Sequence, residues 1–163
     1  MENTHPEKDY LLSVLAENHA GVLLRISGLF SRRCYNIKSI VAAQTADASR
    51  SEILIVVTGD DRIVKQVKRQ LEKLVDIVSV TVLDRESSVV REHILLKVAR
   101  TPENSEALVA IANTFHAGVL SATDTSMLVE LTGDPRTLDS FVELYHPYGI
   151  QKILRTGSMA VQV

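Results

Sequence analysis

The chain has 163 residues, 45 % of them apolar and 23 % charged, and its 18 Lys and Arg against 20 Asp and Glu leave a net charge of -2. That is room for one ordinary domain or two small ones, without the basic excess that marks a nucleic-acid binder. A single cysteine, Cys34, excludes an internal disulfide and a zinc site with several thiolates.

The start, Met1 to Asp9, is polar and carries both signs of charge, so it lacks the apolar core of a secretory signal. No uncharged apolar run approaches the roughly 18 residues of a membrane span. These features point to a cytoplasmic protein with a reduced thiol.

Tyr10 to Ala16 reads as a strand, and Gly21 to about Arg33 as a helix with Val22, Ile26, Leu29 and Phe30 on one stripe. Asn36 to Thr45 is a second strand, with Ile37, Val41 and Ala43 expected on one face and Ile40 and Ala42 on the other. Glu52 to Thr58 is a third. Asp60 is placed to cap a second helix with a stripe of Ile63, Val67, Leu71 and Leu74. Asp76 to Leu83, rich in Val and Ile, is a fourth strand. The polar stretch DRESSVVR is the natural linker.

The second half repeats this order. His93 to Ala99 is a strand; Thr101 and Pro102 predict a capped helix start; Leu108, Ile111, Ala112 and Phe115 form its stripe. Val119 to Thr123 and Met127 to Leu131 are strands. Asp134 and Pro135 open a last helix with Leu138, Phe141, Val142 and Tyr145 inward, and Ile150 to Thr156 closes the set, with a short tail from Gly157. The runs ILIVVTGD at Ile53–Asp60 and MLVELTGD at Met127–Asp134 anchor the repeat.

Each half thus reads β-α-β-β-α-β, an α+β chain of two tandem ferredoxin-like domains. The boundaries are a tail over 1–9, a first domain over 10–84, a linker over 85–91 and a second domain over 92–163. Ile53 to Val57 does not alternate, unlike a strand with one wet face. The second face of that sheet, or an edge, is therefore expected to be covered by the other half or by another chain.

The most informative loop joins the first strand to the first helix. A helix N-terminus offers unpaired N–H groups and a partial positive charge, which suit a carboxylate. Asn18 can bond an ammonium or a carboxylate, and Gly21 admits close approach to the backbone. The same residues also serve as an ordinary cap and turn. Asn36, at the start of the second strand, sits at the opposite end of the helix from Asn18. Only two domains packed side by side bring these positions together, which predicts a pocket between subunits.

Catalytic and metal chemistry find little support. His5, His19, His93, His116 and His146 share no ligand spacing. Cys34 beside Arg32 and Arg33 reads as an inert thiol at a helix end. Thr-Gly-Asp lacks the cradle of a phosphate loop. Lys65, Lys68, Arg69 and Lys73 form a solvated helix face. The third strand carries no aromatics for RNA stacking.

The residues Leu12–Asn18 (LSVLAEN), Ala20–Leu23 (AGVL), Gly28–Arg33 (GLFSRR) and Tyr35–Ile37 (YNI) resemble the N-terminal ACT domain of the regulatory small subunit of acetolactate synthase. Gln70–Asp76 (QLEKLVD) resembles the end of that domain. Val90–Glu92 with Leu95–Val98, and Gly149–Ile150 with Arg155–Gly157, resemble the start and end of the family's second, ACT-like domain. The resemblance covers nearly everything from Tyr10 onward.

It implies a non-catalytic subunit that forms a homodimer through its ACT domains and activates a large thiamine-diphosphate enzyme of branched-chain amino-acid synthesis. It also implies feedback inhibition of that enzyme by a branched-chain amino acid, usually valine, bound between the two ACT domains. Thiamine diphosphate, magnesium and FAD are expected only in the catalytic partner. Asn18, Gly21 and Asn36 carry over as effector contacts, and Val22 and Ile37 as neighbours. The alternative is a stand-alone amino-acid sensor acting on another enzyme. Cys34 stands where the family usually has Gly, and His116-Ala117 departs from a basic-Gly corner. If the backbone at Cys34 has positive φ, the side chain strains the turn.

Overall fold

The computed structural model describes residues 8–163; His5 and most of the expected tail lie outside them. In the first unit β1 (Lys8–Glu17), β2 (Ile37–Gln44), β3 (Arg50–Gly59) and β4 (Ile77–Leu83) form a sheet in the order β2-β3-β1-β4, with α1 (Val22–Arg32) and α2 (Asp61–Leu71) between strands. The second unit repeats this with β5 (Ser88–Ala99), α3 (Ser105–Thr114), β6 (Gly118–Ala122), β7 (Ser126–Gly133), α4 (Pro135–Tyr145) and β8 (Ile150–Arg155), in the order β6-β7-β5-β8. A last strand, β9 (Met159–Gln162), pairs with β5.

The apolar stripes fall where the helical period puts them. Val22, Ile26, Leu29 and Phe30 of α1 are all buried. With Leu12, Val14 and Ala16 of β1 and Ile53, Ile55 and Val57 of β3 they make the first core. In α2 the buried set is Val64, Val67 and Leu71, while Ile63 and Leu74 flank the core. The second core gathers Ile94, Leu96 and Val98 with Leu108, Leu138, Phe141 and Tyr145. Each fully buried side chain of this size is worth about 1.5–3 kcal/mol.

Asp60 and Asp134 cap α2 and α4 alike. Each carboxylate accepts the N–H groups of the residues two and three positions on. At α3 the expected start differs. Thr101 and Asn104 exchange hydrogen bonds, Thr101 N–H to Asn104 Oδ1 at 2.8 Å and Asn104 N–H to Thr101 Oγ1 at 3.3 Å. This reciprocal pair holds Pro102 and Glu103 in a turn, and the regular helix begins at Ser105.

The faces of β2 also differ from expectation. A bulge falls between Ile37 and Ser39. Cross-strand partners share a face, and Ile37, Ile40 and Ala42 pair with Val57, Ile55 and Ile53. All three therefore lie on the helix side, whereas Ser39 and Val41 lie on the other.

The unbroken apolar run in β3 has a structural cause. Leu54 and Val56, on the side away from the helices, are buried. Residues Gly157–Val163 group with the first unit, which otherwise ends at Val89. A Cβ on Gly157 would lie 2.8 Å from Val41 Cγ2 and 3.0 Å from Ser39 Cβ. Gly157 thus lies directly against this second face, at Ser39 and Val41. The second compact unit is Val90–Thr156, and Ser88 to Arg91 of the expected linker already belong to β5.

Candidate functional site

The β1–α1 loop is built from backbone bonds outward. Glu17 N–H donates to Asp76 O and Asn18 N–H to Ser49 O, both at 2.8 Å, which fixes where β1 stops. Asn18, His19, Ala20 and Gly21 are exposed. Gly21 has φ +95 and serves as the N-cap of α1 without a side-chain cap. That φ belongs to the region L side chains avoid. Its carbonyl accepts Arg25 N–H at 3.0 Å.

The start of α1 therefore differs from those of α2 and α4, which each hold an aspartate. No acid stands in its first turn. Its first N–H groups, from Val22 onward, have no acceptor within the helix, and a Cβ on Gly21 would meet nothing within 4 Å. The result is an open, uncapped, partially positive helix end with room for a carboxylate.

Asn18 is not free for a ligand in the way its sequence suggests. Its Nδ2 donates to Ala48 O and its Oδ1 accepts Ser51 Oγ, both at 2.9 Å. The amide ties the end of β1 to the β2–β3 hairpin, leaving one N–H and one lone pair. Val22 is buried in the core, so it offers a ligand only backbone. Ile37 packs against the same core.

Behind the loop stands a group the sequence reading passed over. Asp76, between α2 and β4, is only 7 % exposed. Its Oδ2 accepts from Arg25 Nη1 at 2.5 Å and its Oδ1 from His19 Nε2 at 3.1 Å. His19 Nδ1 lies 2.9 Å from Ala20 O. His19, Arg25 and Asp76 are separated by up to 57 positions, and no local pattern pairs them.

Asn36 and Ile37 lie at the other end of the sheet. Ile37 and Tyr10 both pair with Val57, and Gln44 and Ala16 both pair with Ser51. The start of β2 is thus level with the start of β1, seven or so residues and roughly 20 Å from the loop. Asn36 is exposed. Lys38 Nζ bonds Asp9 Oδ2 at 2.5 Å and Thr58 Oγ1 bonds Asp9 Oδ1 at 2.7 Å, anchoring this end. Burial pushes the Asp9 carboxyl up, but Lys38 and Thr58 outweigh it and hold the group below its ordinary value. Asn18 and Gly21 are brought together within one chain; Asn36 and Ile37 are not brought to them.

The corner before Asn36 carries positive φ at a non-glycine residue, as expected if the family pattern holds. Cys34 has φ 55, and so does His116 in the second unit. At each corner one N–H bonds three residues back and the next bonds five back: Cys34 to Ser31 and Tyr35 to Phe30, His116 to Asn113 and Ala117 to Ala112. Both are Schellman endings with the left-handed residue at C′.

Elsewhere, His93 bonds Thr132 Oγ1 at 2.9 Å on the sheet surface. With His116, Gly118 and Glu130 it lines an open cleft of about 440 Å³. Among the described residues no cluster of His, Cys, Asp and Glu could hold a metal ion, and no helix is long and apolar enough to cross a membrane.

Known proteins match over this same extent. Residues 12–79 match the AHAS small subunit-like ACT domain, and residues 91–163 match the small subunit of acetolactate synthase family. A probable acetolactate synthase small subunit of Archaeoglobus fulgidus is 40 % identical over 152 residues, 93 % of this chain and 95 % of its own length. The acetolactate synthase small subunit of Bacillus subtilis is 37 % identical over 92 % of this chain and 88 % of its own. The crystal structure of the small subunit from Thermotoga maritima superposes with a TM-score of 0.87 at 30 % identity, covering 96 % of this chain and 98 % of the other.

Proposed function

The chain belongs to the acetolactate synthase small-subunit family, and from that premise we propose that it senses a branched-chain amino acid, valine first, at a seam between two copies of its first unit. Family membership carries a regulatory role in branched-chain amino-acid biosynthesis. The effector, the dimer and the site are our own reading.

The observation that carries it is the register of β2. This strand is the sheet's edge, with one side of its backbone unpaired and ready to add another strand. If two copies pair edge to edge about a two-fold axis, their β2 strands run antiparallel. The start of β2 in one copy then lies beside the end of β2 in the other. That end, Gln44, is level with Ala16, two residues before Asn18. Asn36 of one copy so arrives beside the uncapped α1 end of its neighbour. The α1 N–H groups would take the ligand's carboxylate, and the remaining polar atoms of Asn18 and Asn36 its ammonium. A branched apolar side chain is then chosen by pocket volume, where one methylene is worth about 1–3 kcal/mol.

Regulation follows by linkage: a ligand that favours one arrangement of the paired units shifts whatever binds that arrangement preferentially. In our reading the sensing partner is a catalytic acetolactate synthase subunit. Thiamine diphosphate and its metal belong to that chain.

Calorimetric titration of the full chain with L-valine, L-leucine and L-isoleucine tests the proposal. We expect at least one to bind, and Gly21→Asp, which sets a carboxylate where the ligand's own belongs, to abolish it. No heat with any of the three would refute it. Capture of the catalytic subunit from native extract tests the partner, and recovery of some other enzyme instead would favour a stand-alone sensor.

A further inference from the structure

We propose that Asp76 is a positioning residue of the effector loop, clamping it from behind through His19 and Arg25, an assignment that rests on the effector reading above. The loop contributes the proposed anion site through backbone groups. Those groups are only as well placed as the chain that carries them, and four exposed residues ending in a positive-φ glycine have little packing of their own.

Three bonds converge on Asp76 from one loop and the helix it opens. Its carbonyl takes Glu17 N–H where the loop begins. Its carboxylate takes His19 at the loop's centre and Arg25 one helical turn past Gly21. The Arg25 N–H in turn bonds Gly21 O. Asp76 thus holds both ends and the middle of the segment whose N–H groups face the ligand. It takes no place in the ligand's own contacts, being 7 % exposed. Removing one partner of such a buried charge-assisted bond leaves the carboxylate underpaired, so the loop has a definite penalty for moving away.

The clamp also gives the open helix end a chemical character. Arg25 brings a cationic group to the carboxylate's neighbourhood, and Asp76 neutralises it while it holds it. Releasing Arg25 would free a guanidinium beside the proposed anion site without ordering it.

Two measurements on the full chain separate this proposal from the one it rests on. Hydrogen exchange reads the loop without any ligand. The hydrogen-bonded amides of Glu17, Asn18 and Arg25 should exchange at least fivefold faster in Asp76→Asn and in Arg25→Gln than in wild type, with the core strands unchanged. Titration with L-valine, L-leucine and L-isoleucine reads the consequence. Whichever of them binds wild type should bind both variants at least fivefold more weakly, and Arg25→Lys should restore most of the loss, which a merely structural role would not require. Should Asp76→Asn fail to fold, Arg25→Gln and His19→Gln, both at half-exposed side chains, decide alone. Unchanged loop exchange in the folded variants overturns the clamp whether or not wild type binds. Faster exchange with no binding by wild type keeps the clamp and removes the effector reading instead.

Discussion

Cys34 and His116 offer the same experiment twice. Both sit at φ 55, in matching Schellman corners of two repeated units, one after α1 and one after α3. A left-handed conformation costs an L residue about 1–2 kcal/mol. Glycine removes that cost but adds freedom to the unfolded chain, worth about 0.4–1 kcal/mol in the other direction. The difference predicts a gain of about 0.5–1 kcal/mol for Cys34→Gly, and the same for His116→Gly. Neither side chain is buried, so little packing is lost. Each kcal/mol should raise the melting temperature of a chain this size by about 2–4 °C. Guanidinium unfolding of both single variants and the double is the assay, with the midpoint rather than an extrapolated energy as the readout. Cys34→Ala and His116→Ala are the controls. Alanine keeps the Cβ and should gain nothing. Glycine variants that melt earlier than wild type, or alanine variants that gain as much as glycine, would refute the backbone account.

Other expectations follow from single contacts. Tyr145 is fully buried, and its hydroxyl donates to Leu108 O at 2.9 Å; burial pushes it up to about 12. The folded value is raised, so its contribution is intact below pH 10 and lost as pH rises from about 10 to 12, by up to roughly 2–3 kcal/mol. Unfolding followed across that range should show the loss in wild type and a flatter profile in Tyr145→Phe. Thr137, through its hydroxyl and then its N–H, holds the Asp134 carboxyl below its ordinary value. Its capping of α4 is therefore present above the ordinary carboxylate value and lost as pH falls through the folded one. Asp134→Ala should cost about 1 kcal/mol at neutral pH and less once the acid is protonated, when its carbonyl oxygen alone accepts. Gly157→Ala places a methyl 2.8 Å from Val41 Cγ2, and overpacking of this kind costs about 1–3 kcal/mol; a lowered denaturation midpoint checks it.

Much of the fold was legible because it repeats. Two Thr-Gly-Asp corners, each ending in the capping aspartate and followed by a helical stripe, set the frame, and Val22, Ile26, Leu29 and Phe30 were placed on α1 by period alone. What escaped the sequence depends on neighbours distant along the chain. The bulge at Lys38 turns Ile37 to the helix side, and only the pairing with Val57 reveals it. Thr101-Pro102 carries every local mark of a helix start, yet Asn104 reaches back and closes a turn first. Gly157 comes against Ser39 and Val41 on the face where the run from Ile53 to Val57 called for cover, but nothing in Gly157–Val163 names that surface. In the β1–α1 loop, Gly21 was readable as a turn glycine ahead of an amphipathic stripe, and its φ of +95 is the conformation that requires it. Asn18 was readable as polar and loop-borne, but not as a cross-link to Ala48 and Ser51. Asp76 was unreadable, since its partners His19 and Arg25 are joined to it only by folding.

The central claim is that one site is completed by two copies. Mixing the Gly21→Asp chain, expected not to bind alone, with the Asn36→Ala chain, expected to bind weakly alone, tests it directly by amino-acid titration. A shared site predicts that random exchange restores about a quarter of wild-type capacity at wild-type affinity, because each mixed pair holds one wholly native site of its two. A mixture that stays silent, while sedimentation shows the two chains have paired, would contradict it.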